Sequence, residues 1–424
     1  MAAASPAPQS AVPRVCLLSA EYSPARGGVG DYTRLLAAEL AQLGAGVTVL
    51  TTRQSGGPTG HPALVGWEAL VSRWDYGSWR QVAACLRALR PDVLHIQYQT
   101  AAYGMHPAIN LMPWRLRLGG YKGRIVTTFH DLRPPYLFPK AGALRHLPAL
   151  ALAAASDAVV LVAREHWQAT PLAWLRRVRS EIGAVTHIIP IGSNIPARPP
   201  EGYDRDAWRK ALGVRARDWV LVYFGYMNPS KGVEDLLQAL RLLRASGRQV
   251  RLLMVGGGGK SNAVDEEWRR HCAGMVRELG LEEALIWTDF APSEVVSGHL
   301  LAGDVCVLPF RDGATFQRGT LLAALAHGLP IVSTRPREVF PQGEANLPWG
   351  WSSDAVLVHG ENVWLVRPCH PDDLVTATER LLDDDGLRAR LSAGAQSLAD
   401  LLTWSAIAKR HQDLYAALAR GQAR

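Results

Sequence analysis

The sequence predicts an α/β protein made of two domains, each a parallel sheet covered by helices. Three observations carry that expectation. Short apolar strands alternate with helical stretches, the alternation starts afresh near the middle, and 424 residues are too many for one ordinary core. Hydrophobic residues make up 48% and charged residues 20%, the balance of a globular chain.

Taken in order, residues 1–12 are rich in Ala, Pro and Ser, without a basic start before an apolar block. They are expected to form a loose tail rather than a signal peptide. A first domain over 13–195 follows, with strands at 14–19, 47–51, 93–97, 125–129, 158–162 and 187–191. Between the first two strands, Tyr32, Leu35, Leu36, Leu40 and Leu43 have the spacing of an amphipathic helix. Thr170 and Pro171 look like an N-cap and first helical position for a helix through Leu172, Leu175, Val178 and Ile182. Residues 196–218 turn proline-rich and charged, the composition of a linker holding one short helix. A second domain over 219–400 begins with strand 220–224 and a helix from Lys231. It continues with strand 251–255, a helix from Ala263, strands 285–288 and 305–309, a helix to His327 and strand 331–334. From Pro371 the chain is expected to be helical, and a closing helix over 401–424 can return to the first domain.

Lysine and arginine total 46 against 38 acidic residues, a net charge of +8 that favours anionic partners. Nucleotide phosphates, an acidic lipid surface and nucleic acid all qualify, but no nucleic-acid recognition motif accompanies the charge. The five cysteines are scattered without a C-x-x-C pair, so neither disulfides nor a metal site is expected and a reducing cytoplasm is the natural setting. The apolar run near 147–155 is broken by Pro148 and too short to span a bilayer. No G-x-S-x-G elbow or H-E-x-x-H pattern appears, which removes the common hydrolases and zinc proteases.

Four segments carry candidate chemistry. The first is the loop from Ser23 to Gly30, with Gly27 and Gly28, entering a helix; glycines let backbone approach a phosphate at a helix start. It lacks the full G-x-G-x-x-G spacing of dinucleotide enzymes. The second is F-G-Y-M-N-P-S-K-G, with Gly225, Asn228 and Lys231; Ser230 is expected to cap the helix and Lys231 to sit at its positive end. Lysine belongs at the other end of a helix, so an anionic ligand would relieve the conflict, while a solvated lysine is the plain alternative. The third, Gly256 to Ser261 including Gly257, misses the P-loop spacing but stands where a chain leaves a sheet. The fourth runs from Pro309 to Val332. Its loop holds Asp312 and Thr315, and a helix start follows with Arg318, Gly319 and Thr320, a phosphate-like set unless Arg318 is an ordinary surface residue.

These motifs, together with E-Y-S-P-A-R-G-G-V-G-D-Y, L-H-I-Q and T-T-F-H-D in the first half and A-L-A-H-G-L-P-I-V in the second, resemble the retaining glycosyltransferases of family 4. The resemblance implies the GT-B fold, two Rossmann-like domains facing across a cleft, and transfer of a sugar from a nucleoside-diphosphate sugar to an acceptor hydroxyl with retention. It implies no cofactor and no metal. Lys231 would bind the diphosphate and His130 the donor sugar, with Gly27, Gly28, Gly225, Asn228, Gly257, Asp312, Thr315, Gly319 and Thr320 around the donor. A glycan, a small molecule or a lipid-linked group would accept the sugar. Trp114-Arg115-Leu116-Arg117, Tyr121-Lys122-Gly123-Arg124 and the residues around Trp167 and Trp174 suit peripheral contact with a membrane, or an ordinary arginine-rich surface. Two departures stand out. The family's paired glutamates align with Thr315 and Ala323, and its arginine after the K-G motif's glycine is Tyr226, leaving Arg318 to supply a guanidinium. A sugar-nucleotide-binding protein without turnover, or an epimerase of the same fold, are the rival expectations.

Overall fold

The structure, a computed structural model, describes residues 13–22, 27–53, 61–132, 139–163, 186–256, 263–336 and 356–421. The helix expected from Thr170, the tail 1–12 and Gly257 lie outside the described residues. The chain divides into two compact units. Described residues up to Ile191 and from Trp404 onward belong to the first, and those from Gly192 to Thr403 to the second.

In the first unit, β1 (Arg14–Ser19), β2 (Gly46–Thr52), β3 (Gly66–Val71), β4 (Val93–Tyr98), β5 (Arg124–Phe129), β6 (Ala158–Leu161) and β7 (Thr186–Ile188) make one sheet ordered β3-β2-β1-β4-β5-β6-β7. All these pairings are parallel. Parallel strands need crossovers, which put helices on both faces and make the strands apolar throughout. Accordingly Cys16 and Leu18 pack into one core cluster while Val15 and Leu17 pack into another. The helix Gly28–Gln42 buries Tyr32, Leu36 and Leu40 in the second of these. The edge strand β3 carries no apolar run and is missing from the sequence reading; it is largely exposed and pairs on one side only.

In the second unit, β8 (Trp219–Phe224), β9 (Val250–Val255), β10 (Leu285–Trp287), β11 (Val305–Leu308), β12 (Ile331–Thr334) and β13 (Trp364–Val366) are ordered β10-β9-β8-β11-β12-β13. This is the doubly wound order, in which the chain first moves outward one way and then crosses back over its first strand. Ligands of such sheets bind beyond the carboxyl ends of the strands at that reversal, here β1 and β4 in one unit and β8 and β11 in the other. The three-residue edge strand β13 also escapes sequence pattern. Residues 196–218, expected as a linker, fall in the second unit, where Arg205 and Arg209 of the helix Arg205–Ala211 pair with Asp304 beside β11.

The helix Trp404–Ala419 completes the first unit by packing on the helix Gly28–Gln42. It delivers buried polar groups into the sheet. Tyr415 Oη lies 2.6 Å from His95 Nδ1, whose Nε2 is 2.7 Å from Thr128 Oγ1. His411 Nε2 lies 2.9 Å from Tyr32 Oη. Burial first, then neighbouring His187 and His130, pushes His411 down to about 3, and burial with His411 and His130 nearby holds His95 well below its usual range. Both are therefore neutral when folded. The unfolded chain, with ordinary histidine values near 6.5, binds protons that the folded chain refuses, so the stabilisation is complete above that value and declines as pH falls. Between pH 8 and 5, His411 is expected to cost about 2 kcal/mol of unfolding free energy, and His95 to add a loss in the same direction. Urea titrations across that range test this, and a flat stability would refute it; in His411→Leu the slope should be shallower.

Candidate active site

Three helix starts were expected to offer a site for an anion, and the structure separates them. At the start of the helix Gly28–Gln42, Gly27 is the N-cap, and its carbonyl accepts from Asp31 N at 3.0 Å. A Cβ on Gly27 would overlap the Glu21 carboxylate, which therefore lies against the helix start. Burial raises the Glu21 carboxyl above its usual range, with the Gly30 N–H pulling the other way. With Asp31 in the first turn, this positive end already has its own acids. The Glu21 carboxylate thus stands beside Gly27, while a Cβ at Gly28 would meet nothing within 4 Å.

The second start differs from expectation in its capping. Asn228, not Ser230, is the cap: its Oδ1 accepts from Ser230 N at 3.1 Å and Ser230 Oγ at 2.8 Å. This closes a 3-10 turn, Pro229–Lys231, and the α-helix begins only at Val233 (Val233–Ala245). Gly232 separates the two at φ 68°, a left-handed conformation that no helix continues through. Lys231 thus precedes the helix instead of opening it. The helix's first-turn acids, Glu234 and Asp235, are held by Arg311, which pairs with Glu234 and lies 3.3 Å from Asp235. His271 Nε2 also approaches Glu234 at 2.8 Å. This positive end, too, is neutralised from within.

The third start, the helix Gly319–Ala326, has no acid in its first turn and no side-chain cap at Arg318. Around it the structure collects the cations of two motifs. Arg318 lies over the Phe310 ring, its guanidinium carbon 4.9 Å from the centroid, and Lys231 Nζ lies 5.2 Å from the same centroid. Phe310 is fully buried and follows β11, so β8's loop and β11's loop meet at the reversal of the sheet. Gly225, at the end of β8 with φ 138°, donates to Val255 O at 3.1 Å, and a Cβ there would lie 2.8 Å from Thr320 Cγ2. Gly225 is what lets the β8 loop close on the helix start. The Thr320 hydroxyl oxygen is buried with no hydrogen-bond partner among the described residues. An orphaned hydroxyl beside two cations and an uncapped helix start is the composition of an anion site.

The remaining expected residues fall around this point or apart from it. Asp312, expected around the donor, pairs with Arg318. Thr315 lies in the same loop, its carbonyl accepting from Arg318 N at 3.1 Å, and Gly319 opens the helix. Ala323, where the family carries its second glutamate, is fully buried inside that helix. Tyr226 is 51% exposed, and its carbonyl accepts from Tyr223 Oη at 3.0 Å. His130 belongs to the first unit, just past β5. Its N–H donates to Tyr98 O at 2.9 Å, its Nε2 to Gln97 Oε1 at 2.9 Å, and its ring meets Tyr32 edge-on at 4.6 Å between centroids. Phe310 escaped the sequence reading as a site residue; its signal was its place between the strand and the loop of the fourth motif. Among the described residues no group of three or more His, Cys, Asp or Glu could hold a metal ion.

Both halves of the chain are similar to known proteins. Residues 218–384 match the glycosyl transferases group 1 family, and residues 26–185 match Glycosyltransferase Family 4. A D-inositol 3-phosphate glycosyltransferase from Corynebacterium glutamicum is 28% identical over 233 residues, 54% of this chain and 50% of that protein. Its counterpart from Xylanimonas cellulosilytica is 28% identical over 269 residues, 62% of this chain and 57% of that protein. The chain thus spans about half the length of these curated relatives. Sucrose-phosphate synthase from Thermosynechococcus elongatus superposes with a TM-score of 0.70 at 22% identity, over 96% of this chain and 100% of that one. Anabaena HepE, solved in complex with UDP, gives 0.69 at 18% identity over 96% and 100% of the two chains. Two doubly wound parallel sheets, the matched halves and these structural neighbours together establish that the chain belongs to family 4 of the glycosyltransferases, with the GT-B fold.

Proposed function

We propose that the protein transfers a sugar from a nucleoside-diphosphate sugar to an acceptor hydroxyl, with retention of the anomeric configuration. The observation that carries this is the convergence of Lys231 and Arg318 on Phe310, at an uncapped helix start beside the orphaned Thr320 hydroxyl. A nucleoside diphosphate leaves with concentrated negative charge. Two cations and the helix N–H groups can stabilise that charge as the bond to the sugar breaks, without a metal ion. The acceptor oxygen then bonds the anomeric carbon on the face the phosphate leaves, and the departing phosphate oxygen takes the acceptor's proton, so no carboxylate base is needed. We assign His130 to the transferred sugar and Gly225, Thr315, Gly319 and Thr320 to the donor. Asn228 acts one step back, holding the turn that carries Lys231, and Asp312 orients Arg318.

A second reading, a module that binds a sugar nucleotide without turning it over, draws on Thr315 and on Ala323, buried where the family has a glutamate. Incubation with UDP-, GDP- and ADP-sugars and a panel of acceptors separates the readings. Acceptor-dependent release of nucleoside diphosphate, with a product of the donor's anomeric configuration, is expected. Tight binding without release would leave the module reading, and interconversion of the donor sugar without an acceptor would indicate epimerisation.

A further inference from the structure

Apart from the residues of the candidate active site, the first unit carries an apolar surface fringed by unpaired cations. The helix Ala108–Leu118 buries Ile109, Met112 and Leu116 and turns Leu111, Trp114 and Leu118 outward, 38%, 46% and 86% exposed. These three stand three and four positions apart, so they form one stripe along the helix. The helix Leu147–Ala154 packs beside it and extends the apolar surface through Leu147, 49% exposed, with Leu144 just before it at 65%. Trp114 Nε1 donates to Ala151 O at 2.8 Å, which ties the two helices and satisfies the indole's one polar group while its ring stays outside. Large side chains held outward in a group differ from the single exposed leucines that every surface has.

The segment that carries the stripe is rich in positive charge. From residue 106 to residue 155 the chain has seven lysines and arginines and a single acid, Asp131. Arg117 and Arg124 are spent on Asp157. Arg115 and Lys122 are exposed and form no ion pair among the described residues. A second copy of this chain docked on the same surface would set these cations against each other, which disfavours a symmetric protein contact. Apolar side chains with an anchored indole, fringed by unpaired cations, match the layered chemistry of a bilayer surface: acyl chains below, anionic headgroups above. Among the described residues no helix is long and apolar enough to cross a membrane. We infer that this face docks on the surface of a bilayer carrying anionic headgroups, with Leu111, Trp114 and Leu118 entering the headgroup boundary and Arg115 and Lys122 pairing with lipid phosphates. The inference stands independently of the reaction proposed above.

Flotation of the full chain with vesicles tests it, using phosphatidylcholine alone and phosphatidylcholine mixed with phosphatidylglycerol. Binding is expected to the mixed vesicles, weakened by salt, with a blue shift of tryptophan emission that Trp114→Phe diminishes. Leu111→Ser with Leu118→Glu should cut partitioning by more than about tenfold, and Arg115→Glu with Lys122→Glu should abolish the preference for the anionic lipid. These side chains are exposed, so circular dichroism and the thermal midpoint should not change and a loss of binding is not a loss of fold. Failure to bind mixed vesicles, or binding indifferent to both double variants, would overturn the inference. So would a dimer that dissociates in Leu111→Ser with Leu118→Glu, since it would give the surface to a second copy.

Discussion

Replacing Lys231 by alanine should lower turnover by more than about a hundredfold, the loss of about 3 kcal/mol of leaving-group stabilisation. The ammonium stands over Phe310 beside the start of the helix Gly319–Ala326, where no acid of the chain's own lies in the first turn. Truncation removes a charge whose interaction grows as the phosphate departs, so kcat should fall more than donor affinity. Arg318→Ala should behave alike. The double variant should lose less than the product of the two, because both cations act on one leaving group. The fold should survive, since Lys231 lies in a 3-10 turn closed by Asn228, whose carbonyl accepts from Lys231's backbone N–H at 3.0 Å regardless of the side chain. Measured kcat and KM with the donor found in the panel decide the matter. Near-normal kcat in Lys231→Ala would remove the lysine from the mechanism and with it the principal support for transfer.

Gly232→Ala is expected to be the most destabilising single methyl addition in the second unit. At φ 68° any side chain is strained, and here a Cβ would overlap the Pro309 carbonyl oxygen at the end of β11. Backbone cannot rotate out of the way as a flexible side chain could, so the K-G turn and the Pro309–Phe310 segment must separate. The cost should reach about 3 kcal/mol or more, and activity should fall with it because Phe310 carries both cations' seat. Gly247→Ala provides the reference. Its φ of 89° is equally unfavourable, yet a Cβ there would meet nothing within 4 Å. It should cost only about 1 kcal/mol, the conformational part alone. Chemical denaturation of both variants isolates the contact; equal losses would show that Gly232 is needed only for its backbone angle.

Much of the architecture could be read along the chain, because strands buried on both faces of a parallel sheet must be apolar throughout. The strands 14–19 and 331–334 coincide with β1 and β12, and the central ones of both sheets differ by a residue or two at their ends. The edge strands β3 and β13 were invisible for two reasons: β3 has one neighbour and a largely exposed face and so needs no apolar pattern, while β13 is only three residues long, too short to show a period. The candidate site was legible as a set of motifs but not as an arrangement. Local chemistry suggested Ser230 as the cap, and Asn228 took the place because its carboxamide reaches the N–H two residues on.

Residue order alone therefore settles which segments become strands and helices, where glycine must interrupt them, and which cations are available, since each depends on neighbours a few positions away. Packing settles which of those cations meet. Glu21 fills one helix start and Arg311 binds the acids of another, leaving the third for Lys231 and Arg318 over a single ring. The final helix likewise brings His411 to Tyr32 and Tyr415 to His95 across more than 300 positions of chain. Such meetings follow from the order in which crossovers lay strands side by side, and no local preference of the residues involved encodes them.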